Sequence, residues 1–185
     1  MPADATRDAI LDAARAAFAR EGRAAGMRSI ASAAGVTHAA IYRHFTCKED
    51  LLHELAQGEF ARLVDEIRSR VPGRAAPRRR LEAVLREFIH VGLDNPNLYE
   101  FLFWTLPRTT GSDVAATNDV FALVHEAAEA SAASGDLSGD VDQLTGFLLT
   151  ACIGYVARAF VRPQTAYDRI GGYVAFLLAD AGGRR

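Results

Sequence analysis

The chain has 185 residues, 50% apolar and 24% charged, with a formal net charge of −2, a balance that excludes a disordered tail and fits one large folded domain or two small ones. The start, MPADATRDAI, has neither the basic opening nor the apolar core of an export signal. The longest uncharged run, Gln143 to Ala157, is interrupted by Thr145, Thr150 and two glycines, short of the roughly 20 apolar residues of a membrane span, so a soluble cytoplasmic protein with no membrane partner is expected.

Two cysteines, Cys47 and Cys152, stand far apart and outside any CxxC pair, so neither a disulfide framework nor a zinc ribbon is supported, and no metal or other cofactor is expected. Charge is unevenly divided. Residues 1 to 48 hold seven basic side chains (Arg7, Arg15, Arg20, Arg23, Arg28, Arg43, Lys48) against four acidic ones, an excess of three, while the remainder carries an acidic excess of five. A basic N-terminal section on an acidic body suits a small nucleic-acid-reading module joined to a larger one.

The 3.6-residue period recurs along the chain and no sustained period-2 run appears, so an all-α protein of about nine helices is expected. The first spans about Asp4 to Glu21, with Ile10, Ala14, Ala17 and Phe18 on one stripe and Gly22 as its stop. Two short helices joined by a tight turn follow. A long helix starts at Thr46, where Thr46-Cys47-Lys48-Glu49 reads as a capping box, and carries Leu52, Ala56, Phe60, Leu63 and Ile67 inward. Pro72 to Pro77 break it. The fifth helix shows Leu81, Val84, Leu85, Phe88 and Ile89 on one face and ends at Asn95-Pro96. A short aromatic helix from Leu98 to Trp104 leads to a loop over Leu106 to Ser112. Helix seven, Asp113 to about Ser134, places Val114, Phe121, His125 and Ala128 on one stripe. Helix eight, capped by Asp140 and Gln143, is apolar nearly all round and is expected to be buried on more than one side until Pro163 closes it. The last helix opens at Thr165 and spaces Ile170, Tyr173, Val174, Leu177 and Leu178 along one face.

Residues 26 to 45 carry a helix-turn-helix pattern. Ala31 is small where two helices cross steeply, and Gly35 supplies a left-handed turn. Ile30, Ala34, Val36, Ile41 and Phe45 face a small core. The opposite face of the second helix offers Thr37, His38, Ala39, Ala40, Tyr42, Arg43 and His44, small and hydrogen-bonding groups able to approach base edges in a major groove. Lys48 falls in the first turn of the long helix, where free amides and the helix dipole already favour an anion, and Tyr42 and His44 flank it.

The stretches Ile10-Leu11-Asp12-Ala13-Ala14, Ile30-Ala31, Ala34-Gly35-Val36-Thr37, Tyr42-Arg43-His44-Phe45 and Lys48-Glu49-Asp50-Leu51-Leu52 make the chain resemble the TetR family of transcriptional regulators. Gly26 departs from the family pattern, standing where a Thr or Ser cap is common. The resemblance implies that Thr37, His38, Ala39 and Ala40 approach bases, that Tyr42, His44 and Lys48 grip phosphates and that Arg28 and Ser29 meet the DNA backbone, with Arg43 beside them. It also implies a division into a DNA-binding domain, 1 to 50, and a ligand-binding and dimerising domain, 51 to 185.

In that second domain Phe60, Phe88, Phe101, Trp104, Phe121, Phe147 and Tyr155 are dense enough to line an apolar cavity, with His125 as its polar contact, although plain core packing competes for each aromatic. A small apolar or aromatic ligand is the expected partner. The long helix would act as the lever that carries its binding to the Lys48 end. A homodimer is expected through helices eight and nine, where Gly146, Thr150 and Gly154 recur every four residues and the Ile170, Tyr173, Val174, Leu177 stripe offers an apolar face. The chain would then be a repressor released from a palindromic operator in double-stranded DNA. The alternatives are a DNA-binding protein without an effector or a redox sensor through Cys47. Catalysis is not expected: His53-Glu54 opens like a zinc-protease helix, but Gln57 occupies the second ligand position. The arginine run at Arg74, Arg78, Arg79 and Arg80 leaves open non-specific nucleic-acid binding beside a solvated loop.

Overall fold

The computed structural model describes residues 3–21, 24–100, 102–103, 114–159 and 167–181. All regular structure among them is helical: α1 (Ala3–Glu21), α2 (Met27–Ala33), α3 (His38–Ile41), α4 (Lys48–Arg70), α5 (Pro77–Asp94), α6 (Pro96–Glu100), α7 (Val114–Ala133), α8 (Val141–Ala159) and α9 (Ile170–Ala181), the last preceded by a 3-10 turn at Tyr167–Arg169. The all-helical expectation holds. Gly22, the loop from Leu106 to Ser112, Pro163 and Thr165 lie outside the described residues. Among those described, no helix is long and apolar enough to cross a membrane.

Two compact units divide the chain, one formed by Met1–Glu59 with Asn97–Asp113 and the other by Phe60–Pro96 with Val114–Arg185. The division falls inside α4, which runs unbroken through both.

In the first unit α1 packs on α2 and α2 on α3. The apolar positions of the sequence pattern supply its interior: Ile10, Ala14 and Phe18 of α1, Ile30 and Ala31 of α2, Ile41 and Phe45, and Leu51, Leu52 and Leu55 of α4 are all buried. The start of α4 differs from expectation. Asp50, not Glu49, closes the turn, accepting from the Thr46 amide at 2.9 Å and the Thr46 hydroxyl at 3.3 Å. One more residue of reach puts its carboxylate over the amide that the shorter spacing misses, and the helix begins at Lys48.

α5 is the axis of the second unit and packs against α7, α8 and α9. Leu81, Val84, Leu85, Phe88 and Ile89 are buried along it. Asn95 ends the helix by donating from its side chain to the Val91 carbonyl at 3.2 Å. Arg78 ties the unit together, donating to the Asp136 carbonyl at 3.1 Å and the Leu178 carbonyl at 3.0 Å. Arg80 lies 3.4 Å from Glu126. Two of the four arginines in the 74–80 run therefore serve the fold, which weakens the reading of that run as a nucleic-acid patch.

Two expected stripes are corrected. On α7 the buried face is Val120, Leu123, Val124, Ala127, Ala128 and Ser131, with Phe121 and His125 half-buried on its flank; the side chain of Val114 lies outside the described residues. On α9 the Ile170, Val174, Leu177 and Leu178 stripe is buried within the chain, and Gly172, Ala175, Phe176 and Ala179 face outward, Phe176 with 71% exposure. α8 likewise buries only one side of its apolar surface, through Leu148, Cys152 and Val156, while Phe147 is 58% exposed and Thr150 and Gly154 are open.

Candidate nucleic-acid interface

The exposed face around α3 is built on a short frame. Gly26 precedes α2, and the Ser29 hydroxyl accepts from the Gly26 amide at 3.2 Å and donates to its carbonyl at 2.9 Å, so Ser29 does the capping that Gly26, lacking a side chain, cannot. Between α2 and α3, Gly35 takes φ +68°, the left-handed value at which a Cβ is strained. The Val36 amide then donates to the Ala31 carbonyl at 3.0 Å and closes the turn.

Thr37 caps α3: its Oγ1 accepts from the Ala40 amide at 3.1 Å. Ile41 and Phe45 are buried, while Thr37, His38 and Ala39 at the start of α3 are exposed. After α3 the chain continues as a turn through Tyr42, Arg43 and His44, with Tyr42 43% exposed and Arg43 exposed. The rings of His38 and Tyr42 meet edge to face, 5.2 Å apart at 83°.

The basic groups fall into a paired set and an unpaired one among the described residues. Arg7 pairs with Glu54 and lies over the Phe45 ring. Arg15 pairs with the buried Glu59 and, at 2.7 Å, with Asp12; burial alone would lower its pKa, but the bonds to Glu59 and Asp12 outweigh it and the group is raised. Arg20 bonds Glu21 at 2.5 Å. The Lys48 ammonium sits 5.7 Å from the Phe18 ring centre. Arg28 and Arg43, by contrast, are exposed and make no ion pair or hydrogen bond among the described residues, and the same holds for the His38 ring nitrogens and the Tyr42 hydroxyl. Arg7 and Arg15 tie α1 to α4, whereas Arg28 on α2 and Arg43 in the turn after α3 enter no such pair among the described residues. Sequence spacing does not show this division, because the partner carboxylates lie more than 40 residues away on α4.

Of the residues expected to hold a ligand, Phe60 and Phe88 are buried in the second unit, Phe121, His125 and Tyr155 are half-buried, and Phe147 is exposed. Phe101 and Trp104 lie outside the described residues. His125 has partners of its own: Nε2 is 2.8 Å from Asp142 Oδ1, Nδ1 is 3.6 Å from Glu129, and the Phe121 ring stacks on the imidazole at 5.7 Å. Because a carboxylate only accepts, Nε2 carries the proton. Tyr155 packs on Tyr173 at 4.5 Å, and the Tyr173 hydroxyl donates to the Ala151 carbonyl at 2.9 Å. Burial raises the Tyr155 hydroxyl pKa against the opposing pull of Arg158 and Arg169. Cys47 is exposed and Cys152 buried, and both are free thiols; burial pushes the Cys152 thiol up to about 12.

A three-helix head with a left-handed glycine between its second and third helices, and with His38, Tyr42 and Arg43 exposed on the third helix and the turn that follows it, defines a helix-turn-helix protein. Residues 10–55 match the family model described as bacterial regulatory proteins, tetR family. It is 33% identical over 118 residues to an uncharacterized HTH-type transcriptional regulator of Mycobacterium tuberculosis, a match covering 63% of this chain and 58% of that relative. The HTH-type transcriptional repressor KstR2 of the same organism is 37% identical over 79 residues, 42% of this chain and 40% of the repressor. Among solved structures, the regulator FadR of Bacillus subtilis in complex with stearoyl-CoA has a TM-score of 0.78 at 18% identity, covering 96% of this chain and 99% of its own. The fatty acid degradation regulator FadR of Bacillus halodurans has a TM-score of 0.80 at 22% identity, over 93% and 94% of the two chains. These structural likenesses concern the fold.

Proposed function

We propose that the chain is a cytoplasmic, sequence-specific DNA-binding regulator that represses transcription as a homodimer on an inverted-repeat operator and lets go when a small, largely apolar ligand enters its second unit. The observation that carries the DNA reading is the uncommitted row of Arg28, His38, Tyr42 and Arg43 beside buried neighbours that hold its backbone fixed. Thr37, His38, Ala39 and Ala40 approach base edges, the two alanines being small enough to let the short helix sink into the groove. Arg28, Ser29, Tyr42, Arg43, His44 and Lys48 meet phosphates and set the register. Support for the repressor role comes from the name of the KstR2 relative.

The dimer is supported by the outward faces of α8 and α9, where Phe147 and Phe176 stand exposed beside Gly154 and Gly172. Glycines there permit a partner helix to approach closely. Two such subunits would present their reading helices to half-sites about 34 Å apart or somewhat more. The ligand reading is supported by the aromatic content of the second unit and by a structural neighbour solved with stearoyl-CoA. α4 is the element on which coupling rests, since one helix carries both Lys48 and Ile67. Linkage then requires DNA to weaken ligand binding by the factor with which ligand weakens DNA binding, about 5- to 150-fold.

Selection from a random pool of duplex DNA tests the reading. An inverted repeat is the expected winner, and recovery of no preferred sequence overturns it. A thermal-shift screen of hydrophobic metabolites tests the effector: a true one raises the melting temperature and releases the selected DNA.

A further inference from the structure

We propose that Tyr42 has two separable roles at the interface: its hydroxyl bonds DNA backbone, and its ring holds the His38 imidazole in the one orientation that reads a base. The inference deepens the DNA-binding reading and rests on it.

The geometry begins with spacing. His38 is the first residue of α3 and Tyr42 its C-cap, with helical dihedrals of φ −72° and ψ −9°, so the two side chains are one turn apart on the same outward face. Their rings sit 5.2 Å apart at 83°, the edge-to-face arrangement that the aromatic quadrupole favours. An exposed imidazole with no other partner would sample several χ1 wells and lose that freedom on meeting a base. Neither His38 ring nitrogen is bonded within the chain among the described residues, so both remain available while the Tyr42 ring fixes where they point. Preorganisation of this kind strengthens a contact without adding one. The Tyr42 hydroxyl, on the far end of the ring, is likewise unbonded among the described residues and is free to donate to a phosphate oxygen.

Tyr42 is on this view a positioning residue for base recognition as well as a phosphate contact, and three substitutions separate the two roles. Tyr42→Phe keeps the ring and removes the hydroxyl. Tyr42→Leu keeps apolar bulk and removes the ring's quadrupole, and His38→Ala removes the reader. Each full-length variant and the parent are put through selection from a random duplex pool, then titrated against the parent's selected duplex and against duplexes altered one base pair at a time. Circular dichroism confirms the helical content; because Tyr42 is 43% exposed, its replacement leaves the core intact.

The expected result is that His38→Ala flattens preference at one or two base pairs of each half-site, that Tyr42→Leu flattens the same positions by about two- to tenfold, and that Tyr42→Phe keeps the preference while weakening all duplexes alike. Joining His38→Ala to Tyr42→Leu should flatten those positions no further than His38→Ala alone. The proposal is overturned if Tyr42→Leu weakens every duplex equally with base preference intact, or if Tyr42→Phe loses the preference as fully as Tyr42→Leu. A parent chain that selects no sequence removes the DNA-binding reading itself, and this proposal with it.

Discussion

At the residue scale, Thr37 shows how one hydroxyl can be claimed twice. Its exposed position at the start of α3 suits base contact, yet its oxygen already accepts from the Ala40 amide and holds the first turn of that helix. Thr37→Ala should therefore lower unfolding free energy by about 1 kcal/mol in urea titration, while Thr37→Ser, which keeps the acceptor, should stay near the parent. A change in base preference common to both would belong to the lost methyl, and one confined to Thr37→Ala to the displaced helix. Cys152 gives a second residue-scale outcome. Its thiol is raised from 9.0 to about 12 by burial, so the folded state disfavours the thiolate and the unfolded state does not. This contribution is intact below pH 9 and is lost as pH rises from about 9 towards 12; Cys152→Ala should remove that part of the alkaline loss of stability. Alkylation followed by intact-mass measurement at neutral pH should find Cys47 modified quickly and Cys152 only on unfolding. Simultaneous modification of both would contradict the burial.

At the scale of elements, the bond between Arg15 of α1 and Glu59 of α4 joins two helices through a carboxylate that is only 4% exposed. Removing one partner leaves the other without compensation, whereas removing both leaves two apolar stems that can pack. Glu59→Ala should cost about 1–3 kcal/mol, and the Arg15→Met, Glu59→Met pair should cost less than the sum of its single changes. A denaturant double-mutant cycle with no coupling would show the bond to be incidental. The period of α1 and α4 is plain in their apolar residues, Ile10, Ala14 and Phe18 against Leu51, Leu52 and Leu55. This bond is not, because no local rule connects residues 44 apart. The His38–Tyr42 contact stands at the other extreme: a four-residue spacing on one face is readable from sequence, and only the ring angle needed coordinates.

For the whole molecule, the surface offered to a partner lies on α8 and α9, where Phe147 and Phe176 face outward while most other large apolar side chains among the described residues are buried. Phe176→Asp should leave the chain's own stability within about 0.5 kcal/mol, since the side chain is 71% exposed. It should convert the proposed dimer to a monomer in sedimentation at micromolar concentration and weaken binding to the selected inverted repeat, because a carboxylate would have to be desolvated between two helices. A variant that remains a dimer would move the interface elsewhere.

Periodicity, turn chemistry and the motif at residues 26 to 45 determined, without coordinates, an all-helical chain, a helix-turn-helix head and the left-handed turn at Gly35, because each depends on residues within one or two helical turns of each other. The tertiary structure decided which side of each apolar helix is inward. α9 buries Ile170, Val174 and Leu177 and turns Phe176 out; α7 keeps His125 at the flank of its buried stripe and joins it to Asp142. It also decided which arginines are already paired, and that α4 belongs to both units. These outcomes turn on which distant helix packs where, and a period of 3.6 residues gives every helix a face without naming the neighbour that will cover it.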